Sequence, residues 1–578
     1  MRPRVWAPFA ERSVTLVLDG ERQPMRPAAD GWWEADREPA PGSRYAFAVD
    51  GGEPRADPRA LSLPAGPEGS AQVVDVEALS AGSTDWEGRQ LPGSVIYELH
   101  VGTFTNEGTL DSAIERLDHL AELGVDVVEV MPLASFPGRH GWGYDGVGLY
   151  AVHEAYGGPH AFRRFVDACH ARGLAVCLDV VYNHLGPSGN HLGEFGPYFT
   201  KRYGTPWGDA VNLDDAGSDD VRRFIIGNAL MWLRDFHVDG LRLDAVHALY
   251  DGRALTLLEE LSAEVAALSA TLGRPLWLIA ESDRNDPRTV TPRDRGGLGL
   301  DAQWADDVHH ALHVALTGET SGYYADFAAP GALTKVLERV FFHDGTYSSF
   351  RQRRHGRPID RGALPGSAFV ASLQTHDQVG NRALGDRLSA SLSPGLLACG
   401  AALLLTAATT PMLFMGEEWG ASTPWMYFTD HTDPAIAEAV RSGRRAEFAA
   451  HGWTSDDVPD PQAPETFERS RLAWGELGEA PHARLLEWYR ALIRLRREPD
   501  LHDPWLERVR VAHDHAAGMV TVRRGRYVVG VNLSQRPQAL REDGTGLEAV
   551  LSWEPVSAGG DSGAIVLAPE SAAVFRSA

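Results

Sequence analysis

Cysteine is scarce in this sequence, and its scarcity argues against several classes of protein. Only Cys169, Cys177 and Cys399 occur among 578 residues, and no two of them form a CxxC pair. This argues against a cysteine zinc site. An odd, sparse set of cysteines is typical of a reducing compartment, and residues 1–9 lack the long apolar core of a signal peptide. We therefore expect a cytoplasmic protein.

Basic residues are outnumbered by acidic ones. Lys and Arg total 54 against 79 Asp and Glu, which gives a formal net charge of −25. A surface this acidic repels phosphate backbones, so we expect no nucleic-acid partner, and it suits a neutral substrate. The sequence also lacks a phosphate-binding glycine-rich loop with a lysine, and no basic stripe is present, so we expect no cofactor.

One long uncharged stretch is present, and it allows two interpretations. Between Arg387 and Glu417 lie 29 uncharged residues. One interpretation is a membrane span, and the other is a buried helix followed by a buried strand. Ser393-Pro394 is typical of a helix start and Thr409-Thr410-Pro411 of a helix stop. Neither piece alone is long enough to span a bilayer, so we favour the buried elements and expect no membrane association.

Apolar strand-like runs alternate with amphipathic helical runs from about residue 94 to residue 497. This alternation predicts a parallel sheet. Eight strand–helix units can be counted, and eight units predict a closed (β/α)8 TIM barrel rather than an open sheet. The predicted strands lie at or near residues 95–97, 127–130, 175–181, 240–244, 276–280, 302, 369 and 413.

Period-two alternation, which is typical of β-strands, flanks this region on both sides. Residues 14, 16 and 18 are apolar before a turn at Asp19-Gly20, and similar alternation returns at residues 520–531. The sequence therefore predicts an N-terminal β-sandwich over residues 1–90, a barrel with loop insertions over residues 91–498, and a small β-domain over residues 499–578.

Polar and charged side chains end the predicted barrel strands. In a (β/α)8 barrel, the groups that act on a substrate lie at the carboxyl ends of the strands. Any one such residue is more often a helix cap or an ion-pair partner, but here they follow successive strands in order. They are Asp179 and His184 after the third strand, Arg242, Asp244 and His247 at the fourth, Glu281 after the fifth, and His376 with Asp377 after the seventh.

Two of these carboxyl groups have surroundings that favour opposite protonation states. Arg242 and Asp244 are two residues apart on one strand, so they face the same side, and the guanidinium favours the ionised carboxylate that a nucleophile needs. Glu281 follows an apolar run, where desolvation would raise its pKa. A neutral acid beside an ionised carboxylate is suited to glycosidic cleavage, and in the retaining reaction the two lie about 5–5.5 Å apart.

Four motifs resemble those of a known family. The segments DVVYNH at 179–184, GLRLDAVH at 240–247, IAES at 279–282 and QTHDQ at 374–378 resemble the motifs of the α-amylase clan, glycoside hydrolase family thirteen. They occur in the family's order, and the resemblance covers nearly the whole chain. It implies a catalytic (β/α)8 barrel, preceded by a carbohydrate-binding-like β-sandwich.

The resemblance also implies a role for each matched residue. Asp244 would be the nucleophile, Glu281 the general acid/base, and Asp377 the third carboxylate, which holds sugar hydroxyls. Asn183 matches a calcium ligand in some members, but one Asn does not make a site, so we expect no required metal. The implied substrate-binding residues are Tyr144, whose ring would stack on the sugar, and His184, Arg242, His247 and His376.

Further segments narrow the resemblance within the clan. ESDRNDP at 281–287, ADDVHHALH at 305–313 and FTDH at 428–431 are similar to members that release trehalose by cleaving the α-1,4 bond next to the terminal trehalose of maltooligosyl trehalose. The resemblance then implies maltooligosyl trehalose and maltooligosaccharides as ligands and maltooligosyltrehalose synthase as pathway partner. A glucan branching enzyme and an α-amylase are alternatives. A non-catalytic glucan-binding relative is a weaker one, because all three carboxylates are present.

Two more groups of residues have several interpretations. His309 and His313 stand four apart on a predicted helix and could form a metal pair, but no third ligand has suitable spacing, so we expect a solvated or cleft-edge role. Four tryptophans in predicted loops or strand ends are candidate sugar platforms, although core packing is the usual role of any one of them: Trp142, Trp304, Trp419 and Trp425.

Overall fold

A closed barrel of eight parallel strands forms the centre of the protein, as the sequence predicts. The computed structural model describes residues 2–81, 85–449, 458–540, 546–559 and 564–577. Each barrel strand pairs with the next one along the chain, and the last pairs with the first. We label the strands β1 Ile96–Leu99, β2 Val127–Val130, β3 Ala175–Val180, β4 Gly240–Leu243, β5 Trp277–Ala280, β6 Ala302–Trp304, β7 Phe369–Ser372 and β8 Thr410–Phe414.

α-Helices connect the barrel strands in every unit except the fifth. The segment between β5 and β6, which the structure describes throughout, contains only the 3-10 turns Pro287–Thr289 and Arg293–Arg295. Two prolines and three glycines in this segment disfavour a longer helix. The main helices are Leu110–Ile114 and Leu117–Leu123 after β1, Gly158–His170 after β2, Ser218–Arg234 after β3, Leu257–Leu272 after β4, Asp306–Thr317 and Ala332–Arg339 after β6, His376–Gly380 and Pro394–Leu405 after β7, and Pro434–Ala449, Pro464–Arg469 and Ala480–Arg496 after β8.

Antiparallel sheets flank the barrel on both sides in the sequence. Val5, Leu99 and Val520 belong to one buried apolar cluster, so the flanking sheets share a core with the barrel. The domain boundaries at residues 90 and 498 stay a prediction. The N-terminal strands are Arg4–Trp6, Trp32–Glu34 and Arg26–Pro27 in one sheet, and Glu21–Pro24, Val14–Leu18, Arg44–Val49 and Ala71–Gln72 in another; the C-terminal strands are Val509–Asp514, Met519–Arg524, Tyr527–Asn532, Ser571–Ser577 and Leu547–Ser552 in one sheet, and Gln538–Ala539, Ala564–Leu567 and Ser557–Gly559 in another.

The long uncharged stretch folds as a helix followed by a strand. The helix Pro394–Leu405 begins where predicted, since the Ser393 hydroxyl accepts the N–H of Leu396 at 3.2 Å. Most of this helix and all of β8 are buried. Among the residues that the structure describes, no helix is both long enough and apolar enough to cross a membrane.

Asp239 gives the first testable prediction, because it lies directly before β4 at the end of the barrel opposite Asp244. Its buried carboxylate accepts from Trp86 Nε1 at 2.7 Å, from Val176 N at 2.9 Å and from Arg274 Nη1 at 2.9 Å. Asp239→Asn keeps the shape but loses the charge, and breaking a buried ion pair costs about 3 kcal/mol. We expect a lower thermal midpoint in calorimetry.

The same Asp239→Asn variant should leave kcat within about twofold of the wild type, because residues at the amino ends of barrel strands contribute to stability rather than to chemistry. A large loss of kcat at a temperature where the variant is folded would contradict this assignment.

Candidate active site

The carboxyl ends of three neighbouring barrel strands bring three acidic residues together. Asp244 follows β4 directly, and Glu281 follows β5 directly. Arg242, within β4, reaches both: its Nη1 donates to Asp244 Oδ1 at 2.8 Å, and its Nη2 lies 3.7 Å from Glu281 Oε2. Asp179, near the end of β3, accepts from the same Nη1 at 2.9 Å. One buried cation therefore holds Asp179 and Asp244 by hydrogen bonds and lies within ion-pair distance of Glu281.

Arg242 is fully buried and remains charged. Burial lowers the pKa of its guanidinium, but Asp179 and the other nearby acidic groups raise it well above its usual value. The ring of Trp304 lies 4.3 Å from the guanidinium carbon, a cation–π contact. The sequence made Trp304 a candidate sugar platform, but in the structure it packs against Arg242.

The surroundings of Glu281 keep its carboxyl group protonated near neutral pH. Burial raises its pKa, Arg242 lowers it, and the carboxylates of Asp244 and Asp377 raise it again, to about 8. Its Oε2 accepts the backbone N–H of Ala245 at 2.5 Å. The direction of this shift agrees with the prediction from the apolar run that precedes Glu281, and it leaves a proton available for transfer.

Ala245 joins the ends of β4 and β5 and was not among the predicted site residues. Its φ is 37°, in the left-handed region that residues with a Cβ rarely adopt. Backbone strain of this kind costs on the order of 1–3 kcal/mol. The strained conformation directs the N–H of Ala245 at Glu281, one residue after Asp244.

Asn183 and His184 lie beside Asp244 at the end of β3. Asn183 Nδ2 donates to Asp244 Oδ2 at 3.1 Å, and Asn183 Oδ1 lies 2.9 Å from Nδ1 of His184. The ring of Trp207 stacks on His184, with centroids 4.2 Å apart and planes 8° apart, and 48% of Trp207 is exposed. Sequence reasoning missed this aromatic surface because Trp207 lies in a hairpin turn of the loop after β3, far in sequence from the end of any barrel strand.

Tyr144 links His376 to the Arg242 cluster. Its hydroxyl donates to Asp179 Oδ2 at 2.6 Å and lies 2.8 Å from His376 Nε2. Its ring stacks on the His376 ring, with centroids 5.1 Å apart. On its other side, His376 Nδ1 lies 2.5 Å from Oε1 of Glu98, a residue of β1 that sequence reasoning missed.

Asp377 and His247 lie at the edges of this cluster. The Asp377 side chain is 45% exposed, and its Oδ1 lies 3.5 Å from His376 Nε2. The His247 side chain is 29% exposed and accepts the backbone N–H of Asp283 at 3.4 Å. Burial lowers the pKa of His247. Both side chains therefore face an open region next to the buried acids.

Several other candidate residues are buried. Trp419 and Trp425 are fully buried, and Trp142 stacks on Trp425 with centroids 4.5 Å apart, so these three rings are core residues rather than sugar platforms. His309 and His313 are also buried, so they are not solvated, but both line a cavity together with Glu319 and Arg382, which agrees with a cleft-edge role. His309 Nε2 lies 3.3 Å from the Tyr324 hydroxyl, and His313 Nε2 lies 2.8 Å from Glu319 Oε2.

Comparisons with known proteins agree with this fold. The alpha amylase catalytic domain model matches residues 81–195, and a domain of unknown function, DUF3459, matches residues 504–574. The solved structure of a candidate alpha amylase from Salmonella typhimurium has a TM-score of 0.91 and 38% identity, and covers 100% of this chain and 97% of its own. The fold and the site define a glycoside hydrolase of the α-amylase type.

Two relatives define the group more narrowly. A malto-oligosyltrehalose trehalohydrolase from Arthrobacter ramosus is 57% identical over 560 residues, 96% of each chain. One from Mycobacterium tuberculosis (strain CDC 1551 / Oshkosh) is 51% identical over 581 residues, covering 100% of this chain and 99% of the relative. The chain belongs to the malto-oligosyltrehalose trehalohydrolase family.

Proposed function

We propose that this enzyme hydrolyses the α-1,4-glucosidic bond next to the terminal trehalose of maltooligosyl trehalose, with retention of configuration, and releases trehalose and a shortened maltooligosaccharide. The names of the full-length relatives support the substrate. The observation that carries the reaction type is the shared contact of Asp244 and Glu281 with the single guanidinium of Arg242. Arg242 donates to the Asp244 carboxyl group and lies close to Glu281, whose pKa is raised to about 8, and this supports the division of roles.

In the first step, an Asp244 oxygen forms a bond to the anomeric carbon of the glucosyl unit next to trehalose. The bond from that carbon to the glycosidic oxygen breaks, and Glu281 transfers its proton to this oxygen. Trehalose leaves, and the remaining maltooligosaccharide is esterified to Asp244. Asn183 and Arg242 donate to the two oxygens of Asp244 and keep it oriented for the attack.

In the second step, Glu281 is an ionised base. It removes a proton from water as the water oxygen bonds to the anomeric carbon, and the bond to Asp244 breaks. The product keeps the α configuration, and Glu281 regains its proton. The N–H of Ala245, at 2.5 Å, stabilises the carboxylate form of Glu281 between the two steps.

The other polar residues bind the sugar units. Asp377, which is half exposed, accepts hydrogen bonds from hydroxyls of the unit under attack, and His376 and His184 contact the same unit. His247 and the exposed ring of Trp207 extend the site away from Asp244. The predicted stacking of the Tyr144 ring on this sugar remains a proposal, since its hydroxyl already joins Asp179 to His376.

We also propose that the enzyme acts in the cytoplasm on the product of a maltooligosyltrehalose synthase. Cys169, Cys177 and Cys399 are free and buried, which suits a reducing compartment. The substrate must come from a reaction that converts the reducing end of a maltooligosaccharide into an α,α-1,1 linkage, because the proposed hydrolase only cleaves α-1,4 bonds.

Product analysis tests this function. The purified enzyme is given maltotriosyl trehalose in one reaction and amylose in another, with Glu281→Gln as the inactive control. We expect free trehalose from the first substrate at a much higher rate than any cleavage of the second. New α-1,6 branches on amylose would support a branching enzyme instead, internal cleavage of amylose without trehalose release an α-amylase, and binding without cleavage a glucan-binding protein.

A further inference from the structure

Glu98 is a buried carboxylate within β1, and both of its oxygens contact one residue. Its side chain is 1% exposed. Oε2 accepts the backbone N–H of His376 at 2.9 Å, which fixes the orientation of the carboxylate, and Oε1 lies 2.5 Å from His376 Nδ1. The two residues are 278 positions apart, and the closure of the barrel between β7, β8 and β1 brings them together.

The proton positions on His376 follow from its neighbours. A tyrosine hydroxyl has one hydrogen, and Tyr144 donates that hydrogen to Asp179 Oδ2 at 2.6 Å. At its 2.8 Å contact with His376 Nε2, the Tyr144 hydroxyl must therefore accept, so Nε2 carries a hydrogen. Nδ1 faces a carboxylate oxygen and also carries a hydrogen. Both ring nitrogens are then donors, which is the imidazolium form.

We propose that Glu98 is a positioning residue that keeps His376 doubly protonated, so that Nε2–H is presented to a hydroxyl of the bound sugar and to Tyr144. The proposal deepens the function proposed above, since it rests on His376 contacting the sugar. Glu98 itself does not touch the substrate; it acts through His376. Tyr144, Asp179 and Arg242 continue the same chain of contacts to Asp244.

The charges around His376 support this arrangement. Burial lowers the pKa of His376, but the Glu98 and Asp377 carboxylates raise it, to about 9. Asp377 is half exposed and lies 3.5 Å away, so Glu98 is the stronger of these two neighbours. The titratable and charged groups that face His376 are Glu98 on β1, His100 just after it, Glu129 on β2, Tyr144 in the following loop, Asp179 on β3, Arg242 on β4, and Asp377 on its own helix.

The chain offers a matched control for Glu98. Glu129 is its register partner on β2, is also 1% exposed, and has the Cys177 thiol rather than His376 as its hydrogen-bond partner. Glu98→Gln and Glu129→Gln are therefore the same isosteric change at the same level of the barrel. Only the first removes the carboxylate whose oxygen lies 2.5 Å from His376 Nδ1.

The test measures kcat and KM against pH for the wild type, Glu98→Gln, Glu129→Gln and Glu98→Asp, on any α-glucan that the wild type cleaves. For Glu98→Gln we expect kcat/KM at pH 7 to fall about 10- to 100-fold, the loss of one charged hydrogen bond. We expect the alkaline fall of kcat/KM, which Glu281 sets near pH 8 in the wild type, to begin at a lower pH in this variant, because buried His376 without Glu98 loses its proton before Glu281 does. In Glu129→Gln, the pH at which kcat/KM falls on the alkaline side should equal that of the wild type. In Glu98→Asp, which keeps the charge, this pH should lie closer to the wild-type value than it does in Glu98→Gln.

The proposal would be overturned if the curve of kcat/KM against pH for Glu98→Gln had the wild-type shape and only a lower height. A merely structural role lowers activity at every pH without changing the pH at which activity falls. An equal displacement in Glu129→Gln would also overturn it. If Glu98→Gln does not fold, as judged by circular dichroism, Glu98→Asp decides: its shorter side chain lengthens the contact with His376 Nδ1, so its alkaline fall must begin at a lower pH than in the wild type, and an unmoved profile would overturn the proposal. Failure to release trehalose would reject the proposed substrate while leaving this comparison intact.

Discussion

Asp244→Ala is expected to lower kcat by at least about 10⁴-fold, the scale of removing a nucleophile that forms a covalent intermediate. Arg242 keeps its contact with Asp179 in this variant, so the cation stays paired and the fold survives. Thermal midpoints measured by calorimetry should therefore differ by only a few degrees. Asp239→Asn, at the other end of the same strand, is the matched control: it should lose stability and keep kcat.

Azide distinguishes loss of a nucleophile from general damage to the site. In Asp244→Ala, azide can occupy the vacated space and attack the anomeric carbon of an activated α-glucosyl fluoride from the β face, with fluoride as the leaving group. We expect a β-glucosyl azide, identified by NMR. Wild-type-like hydrolysis by the purified variant, or an α-azide as its product, would show that Asp244 is not the nucleophile.

Glu281→Gln is expected to lower kcat on maltooligosyl trehalose by about 10³- to 10⁵-fold, since a poor leaving group then departs without a proton. The wild-type enzyme needs this carboxyl group protonated. Burial, Asp244 and Asp377 raise the pKa of Glu281 to about 8, so wild-type activity should fall to about half near pH 8 and further above it. In Glu281→Gln this fall near pH 8 should disappear, because nothing at this position titrates, and only the later fall from His376, whose pKa is about 9, should remain.

A substrate with a better leaving group is the control for Glu281→Gln, because it separates loss of the acid from general damage to the site. An α-glucosyl fluoride does not need an acid for its first step, so the variant should form the covalent intermediate at a rate near that of the wild type and then stall for lack of a base. Azide should restore turnover and give an α-glucosyl azide. If natural and activated substrates lose rate to the same extent, Glu281 does not protonate the leaving group.

The barrel could be predicted from the sequence because its strands are continuous apolar runs separated by amphipathic helices. Residues 127–130, 175–180 and 240–243 are buried along their whole length, which is typical of parallel strands covered on both faces. The fifth connection could not be predicted in the same way, because prolines and glycines replace the helix there and leave no periodicity to read.

Part of the site could be predicted as well, since Asp244 and Glu281 end successive strands and lie against the same guanidinium. Glu98 could not, because it lies within an apolar strand, and its partner His376 is brought to it only by the closed barrel. Two tryptophans, by contrast, are predicted as sugar platforms and are core residues in the structure. Trp419 and Trp425 lie in loops or turns by sequence, but loops that pack over a barrel bury large rings.

Ala245 shows how a single methyl group limits the motion of an amide next to the acidic residues. Glycine at this position would adopt the positive φ at no steric cost and would keep the N–H that Glu281 accepts. It would also allow more backbone conformations, so that N–H would be held less firmly. The alanine therefore exchanges local backbone strain for a fixed donor.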